Sequence, residues 1–117
     1  MVDLVTYTEN EEYCIMMREY PTFLDYYLYK ENDMWILSDY FGSEKDILKA
    51  NDCKNAKIEA LKLLLDDKIP QIIKKNKNEI LKEKEDGVKE ILQYQLSLYE
   101  EYQKEITEIY WKMLNNK

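Results

Sequence analysis

Histidine is absent from this chain of 117 residues, glycine, proline and cysteine occur twice each, and Arg18 is the single arginine. Each absence removes a class of chemistry. Without histidine the usual proton shuttle near neutral pH is missing, and Ser–His or Cys–His nucleophiles cannot be assembled within the chain. Histidine-containing zinc sites are excluded, and Cys14 and Cys53, far apart and in no CxxC pair, cannot make a Cys₄ site. Gly42 and Gly87 stand alone, so neither a phosphate-cradling loop nor a dinucleotide fingerprint can be built. No apolar run reaches the roughly eighteen residues a membrane helix needs. The opening MVDLVTYTEN has neither the basic start nor the apolar core of a signal peptide, so the expectation is a cytoplasmic protein whose two cysteines stay thiols.

What is present is tyrosine, lysine, isoleucine and acid. The length suits one domain, and the hydrophobic fraction of 45% suits a packed core. Residues 1–50 read as an antiparallel β-meander and 54–117 as a helical part, an α+β domain with a small sheet of three to four strands followed by three helices. Leu4–Thr8, Tyr13–Glu19, Leu24–Lys30 and Met34–Tyr40 are rich in strand formers. Between them lie turn-forming groups at Glu9-Asn10-Glu11, Tyr20-Pro21-Thr22 and Glu31-Asn32-Asp33, and the last run is followed by Phe41-Gly42-Ser43. Alternation within Leu24–Lys30 sets Leu24, Tyr26 and Leu28 on one face and Asp25, Tyr27 and Tyr29 on the other. One tyrosine row is then core and the second exposed.

After Asp46 the period changes. Asp52 or Asn51 is placed to cap a helix over 54–67 with Ala56, Ala60, Leu61, Leu64 and Leu65 inward. Pro70 suits a first turn, so a break near Ile69 and a second helix carrying Ile72, Ile73, Ile80 and Leu81 are expected. The charged run around Gly87 marks a turn or a weak point. Beyond it Val88, Leu92, Gln95, Tyr99, Tyr102, Ile106, Ile109 and Met113 follow an alternating four-and-three spacing, the seam of a helix about 40 Å long. Such a face must be buried, against its own domain or in a homodimer. Leu92, Tyr99, Tyr102, Ile106, Ile109 and Met113 are the candidate self-assembly residues. The strands followed by KNAKIEALKLLL resemble the last strands and final helix of double-stranded-RNA-binding domains. The basic cluster and glycine-rich loop of those domains are missing, so no RNA-binding role is carried over.

Charge is unevenly spread. Residues 1–53 hold twelve acids against four basic side chains, 54–84 nine lysines against five acids, and 85–117 four lysines against seven acids. The acidic half repels phosphate backbones and attracts basic proteins. Its acids are interleaved with tyrosine, which serves interfaces by burying area while keeping a hydrogen-bonding group. Asp25, Tyr27, Tyr29, Glu31, Asp33, Asp39 and Tyr40 are therefore the candidate partner-binding residues. Asp25 with Asp39, or Glu31 with Asp33, could in principle pair for acid–base work or a hard cation, but the calcium-loop pattern is absent and solvated acids explain them equally. No catalytic residue, metal ligand or cofactor is assigned. The lysines Lys74, Lys75, Lys77, Lys82 and Lys84 are broken up by acids and lack arginine, so direct nucleic-acid contact is not expected. The expectation is a non-enzymatic module that binds a basic, nucleic-acid-handling protein, in the manner of a small phage or mobile-element inhibitor of the anti-CRISPR or anti-restriction type. The alternative is an adaptor that self-assembles through its C-terminal helix.

Overall fold

The tyrosine-rich half pairs in strict chain order as an antiparallel meander. Its strands are β1 (Val2–Tyr7), β2 (Glu12–Met17), β3 (Leu24–Glu31), β4 (Met34–Asp39) and β5 (Lys45–Ile47). They come from a computed structural model that describes residues 2–7 and 12–116. Four strands answer to the expected runs, and β5 is an addition: three residues are too few to show alternation. The turn expected at Glu9-Asn10-Glu11 lies outside the described residues. At the β3–β4 hairpin Glu31 pairs with Met34, leaving Asn32 and Asp33 as a two-residue loop with φ of 52° and 63°. Two positive φ values in such a loop suit the right-handed strand twist, and Asn and Asp bear them at little cost.

The helical half differs from expectation in one respect. Asp52 caps α1 (Cys53–Leu63), its carboxylate accepting from the Asn55 N–H at 2.8 Å. At Leu64–Lys68 the backbone widens into a π-turn and runs on into α2 (Ile69–Lys82) without leaving helical dihedrals. The expected break near Ile69 is therefore absent. Pro70 lacks an N–H and falls in the first turn of α2, where the wider register dispenses with the bond proline cannot make. The second interruption falls at residues 83–85, and Gly87 belongs to the first turn of α3 (Asp86–Asn115). Three expected helices thus form two rods.

Both rods cover the same face of the sheet. Ile15, Met17, Tyr26, Leu28, Trp35 and Leu37 from the strands meet Ala56, Ala60, Leu61, Leu64 and Ile69, with Leu98, Tyr102 and Ile106 from α3. The seam of α3 is spent within the chain. Tyr102 and Ile106 lie in the core, with Tyr99, Ile109 and Met113 packed against it, because the rod must cover the sheet that α1 leaves open. Of the six candidate self-assembly residues, five are thus engaged within the chain, and Leu92 is half-buried outside that cluster. Gln95, the polar member of the seam, donates from Nε2 to the Pro21 carbonyl at 3.0 Å and accepts from the buried Asn76 at a long 3.5 Å. Tyr102 Oη lies 2.6 Å from Thr22 Oγ1 and accepts the Glu19 N–H at 3.0 Å, tying α3 to the β2–β3 loop. Leu81, expected inward on α2, is instead 83% exposed, since the rod outruns the sheet. Among the described residues no helix is long and apolar enough to cross a membrane.

Candidate interaction face

Strand register decides which side chains the second face of the sheet presents. Ile15 pairs with Tyr26, and Tyr13 and Leu37 both pair with Leu28, all on the helix side. Alternation then places Cys14 and Met16 of β2, Asp25, Tyr27, Tyr29 and Glu31 of β3, and Met34, Ile36 and Ser38 of β4 on the opposite side. Tyr27 and Tyr29 are half-buried, lying over a floor that contains Cys14, Ile36 and Ser38, each under 10% exposed. Ile47 of β5 extends this surface at 63% exposure. The central apolar side chains shield one another on a face that no helix packs against.

The two cysteines sit on opposite sides of the sheet as free thiols. Cys53 donates to Tyr13 Oη at 2.9 Å on the helix side. Burial and the nearby Asp25 charge push the Cys14 thiol pKa up, which keeps it protonated and unreactive.

Asp25 departs from its expected role. Its side chain is fully buried and gripped by Arg18, whose Nε donates to both carboxylate oxygens at 2.9 and 3.0 Å and whose guanidinium arm closes the ion pair. The sole arginine of the chain neutralises it, so Asp25 holds β2 to β3 and adds no free charge. The expected facing of Asp25 with Asp39 also fails: Asp39 pairs with Tyr26 across the hairpin, so the two acids take opposite faces. Glu31 and Asp33 are exposed at the hairpin tip, about 20 Å along β3 from Asp25 at the usual strand rise. Among the described residues no group of three His, Cys, Asp or Glu is placed to hold a metal ion.

Asp39 builds a loop instead. Its carboxylate accepts from Ser43 Oγ at 2.5 Å and from the Glu44 N–H at 3.2 Å, and its carbonyl accepts the Gly42 N–H at 3.1 Å. Gly42 takes φ of 70°, which its missing Cβ allows. Burial raises the Asp39 pKa, but the hydrogen bonds from Ser43, Glu44 and Gly42 outweigh it and hold the carboxyl below its ordinary value. This capped loop pushes two rings outward. Tyr40 stands edge-on to Phe23 at 5.8 Å and to Phe41 at 5.0 Å, and its ring lies 6.3 Å from Tyr27. Phe23, Tyr40 and Phe41 are 60, 51 and 85% exposed, and Arg18 rests its guanidinium 5.1 Å from the Phe23 ring centre.

This aromatic cluster rims an open cavity of about 450 Å³ at the end of β3 and β4, walled on its far side by Gln71, Ile72 and Lys75 of α2. Lys68, from the π-turn, borders it with its ammonium 2.8 Å from Asp46, 3.2 Å from Glu44 and 3.8 Å from Asp67. Burial pulls the Lys68 pKa down, but the bonds to Asp46 and Glu44 outweigh it and keep the ammonium charged. The sequence reading counted Asp39 and Tyr40 among the partner-binding residues of the sheet face, and it did not include Phe23, Phe41 or Lys68. The signal for the rings was a bulky aromatic close to a turn-forming residue, Phe23 two positions after Pro21 and Phe41 directly before Gly42, where a core side chain is not expected. The lysines Lys74, Lys75, Lys77 and Lys82 lie exposed on α2, where Glu79 shares a groove with Lys74, Lys75 and Lys82. No family model, curated protein or solved structure matches this chain.

Proposed function

We propose that the chain is a non-enzymatic protein-binding module that docks its helix-free sheet face on a basic, nucleic-acid-handling partner. The observation that carries this reading is the aromatic and aliphatic surface made by Tyr27, Tyr29, Met34 and Ile47 over the buried Ile36, continuous with exposed Tyr40, on the side of the sheet away from both rods. Interfaces favour tyrosine, methionine and isolated rings over a polar rim, which is the composition found here. Acids supply the rim, with exposed Asp3, Glu31 and Asp33 around the row while Arg18 cancels Asp25. A basic surface fits that rim, and an anti-defence inhibitor that covers a nucleic-acid-binding surface is a role such a module suits. The non-enzymatic part rests on the missing histidine and on the structural roles of the perturbed groups, since Arg18 ties β2 to β3, Asp39 holds a turn and Lys68 ties the π-turn to β5.

The test is crosslinking in a lysate of the source or its host, nuclease-treated, at low and high salt. Three baits are compared: the native chain, a Glu31→Lys/Ile47→Lys variant of the face, and a Lys74→Glu/Lys77→Glu variant of α2. A basic protein crosslinked through β3–β5, lost with the face variant and with salt but kept by the α2 variant, is the expected outcome. Equal capture by native chain and face variant would move the binding surface elsewhere.

A further inference from the structure

We propose that the cavity rimmed by Phe23, Tyr40, Phe41 and Asp39 receives an arginine side chain of the partner. This inference rests on the docking role and names the contact that anchors it.

Three features of the cavity select a planar cation. The first is the set of rings. Phe23 and Phe41 stand edge-on to Tyr40 at 87° and 88°; Arg18 covers one face of Phe23, while Phe41, 85% exposed, keeps its ring open to solvent. Ring faces carry the negative lobe of the quadrupole and attract cations, guanidinium most of all because it also stacks. The chain already makes this contact once, with Arg18 on Phe23.

The second feature is the carboxylate. Asp39 is held by Ser43 and Glu44 on one oxygen each, which fixes its orientation and leaves lone pairs for a forked donor. The hydrogen bonds also keep it ionised, in line with its lowered pKa.

The third feature is the charge balance. Lys68, the one buried cation at this border, is already bonded to Glu44 and Asp46 with Asp67 close by, so the carboxylates there outnumber it. Its ammonium is not available to an anion. Lys75, on the far wall, is the opposing group: exposed, and in no ion pair among the described residues, it repels an incoming cation. A cation site therefore improves when Lys75 loses its charge, and an anion site deteriorates.

The experiment follows the aromatic resonances of Phe23, Tyr40 and Phe41 by NMR in the full chain. The probes are a blocked Gly-Arg-Gly peptide, its lysine counterpart and its citrulline counterpart, which keeps the shape of arginine without the charge. Saturable shifts of all three rings with the arginine peptide are expected, with smaller shifts for lysine and none for citrulline. Phe41→Ser, at a position exposed enough to leave the fold intact, should weaken binding by about fivefold, the size of one exposed cation–π contact. Lys75→Gln should tighten it by about twofold, as removal of one exposed like charge implies. Equal shifts with citrulline, no shifts with any peptide, or weaker binding in Lys75→Gln would each overturn the inference. A partner that is captured through β3–β5 and is indifferent to Phe41→Ser and Lys75→Gln would overturn it too, while leaving the docking role standing.

Discussion

Tyr26 and Tyr27 are neighbours in sequence and opposite in fate. Tyr26 points to the helices and is 6% exposed in the core; Tyr27 points away, half-buried, its ring against Tyr40. The same contrast runs across the sheet. On one side Leu28 and Leu37 lie under two helical rods; on the other Tyr29, Ile36 and Ile47 have only each other and the solvent. Both sides are rich in apolar atoms, so hydrophobicity does not separate core from interface here. What separates them is whether a second element exists to cover the face, and the chain supplies rods for only one.

The largest test of that contrast is a cavity on the covered side. Leu28 is 1% exposed beneath α1, and Leu28→Ala should cost about 2–5 kcal/mol in urea unfolding. Next comes Tyr26, whose phenol is raised to about 12 by burial and by the Glu44 charge. A raised folded pKa means the stabilisation is complete below the ordinary value near 10 and is lost as pH rises through about 12. Stability should fall by roughly 2–3 kcal/mol across that interval, the linkage equivalent of a shift of this size. In Tyr26→Phe the alkaline limb should flatten, and an unchanged limb would assign it to another phenol. Smaller again is Asp25→Asn. Arg18 is partly exposed and can turn to water, so the cost should be about 1–2 kcal/mol, that of a charge-assisted bond lost at a part-buried site. Arg18→Met with Asp25→Leu should recover much of it, because a buried pair competes poorly with matched apolar side chains.

The meander was legible because its signals are local. Alternation in Leu24–Lys30 assigned each tyrosine its face, and Asn32-Asp33 marked the hairpin. The spacing from Val88 to Met113 gave the long helix, but its choice of cover in cis was not contained in that spacing, since the same stripe serves a core or a coiled coil. The burial of Asp25 was not legible because its environment is set by Arg18, which reaches it from just beyond the end of β2. The anchoring of Asp39 in its loop was not legible for a related reason. Its loop bonds depend on Gly42 taking a positive φ, and acidity alone does not disclose that. The π-turn escaped since Pro70 ordinarily ends a helix and here only follows a widened turn. Nothing local about β5 announces a strand. It forms because β4 would otherwise present an unpaired edge.

The smallest expected effect on stability is also the sharpest test of the contrast. Met34→Lys with Ile47→Lys puts two charges on the uncovered face, at positions 41 and 63% exposed. If that face is built to meet a partner, the isolated chain should hardly notice: surface changes of this kind stay within about 0.5 kcal/mol each. The same pair placed against a basic partner sets like charge on like and removes apolar area, so capture should fall at least tenfold, the scale of losing one interface anchor of about 1.4 kcal/mol. A chain that binds as before with both lysines in place would mean that the tyrosine row is merely a weakly shielded second face. A chain that unfolds would mean that Tyr29, Ile36 and Ile47 form a second core whose cohesion the fold requires. Only normal stability with lost capture keeps the two faces as different in purpose as they are in cover.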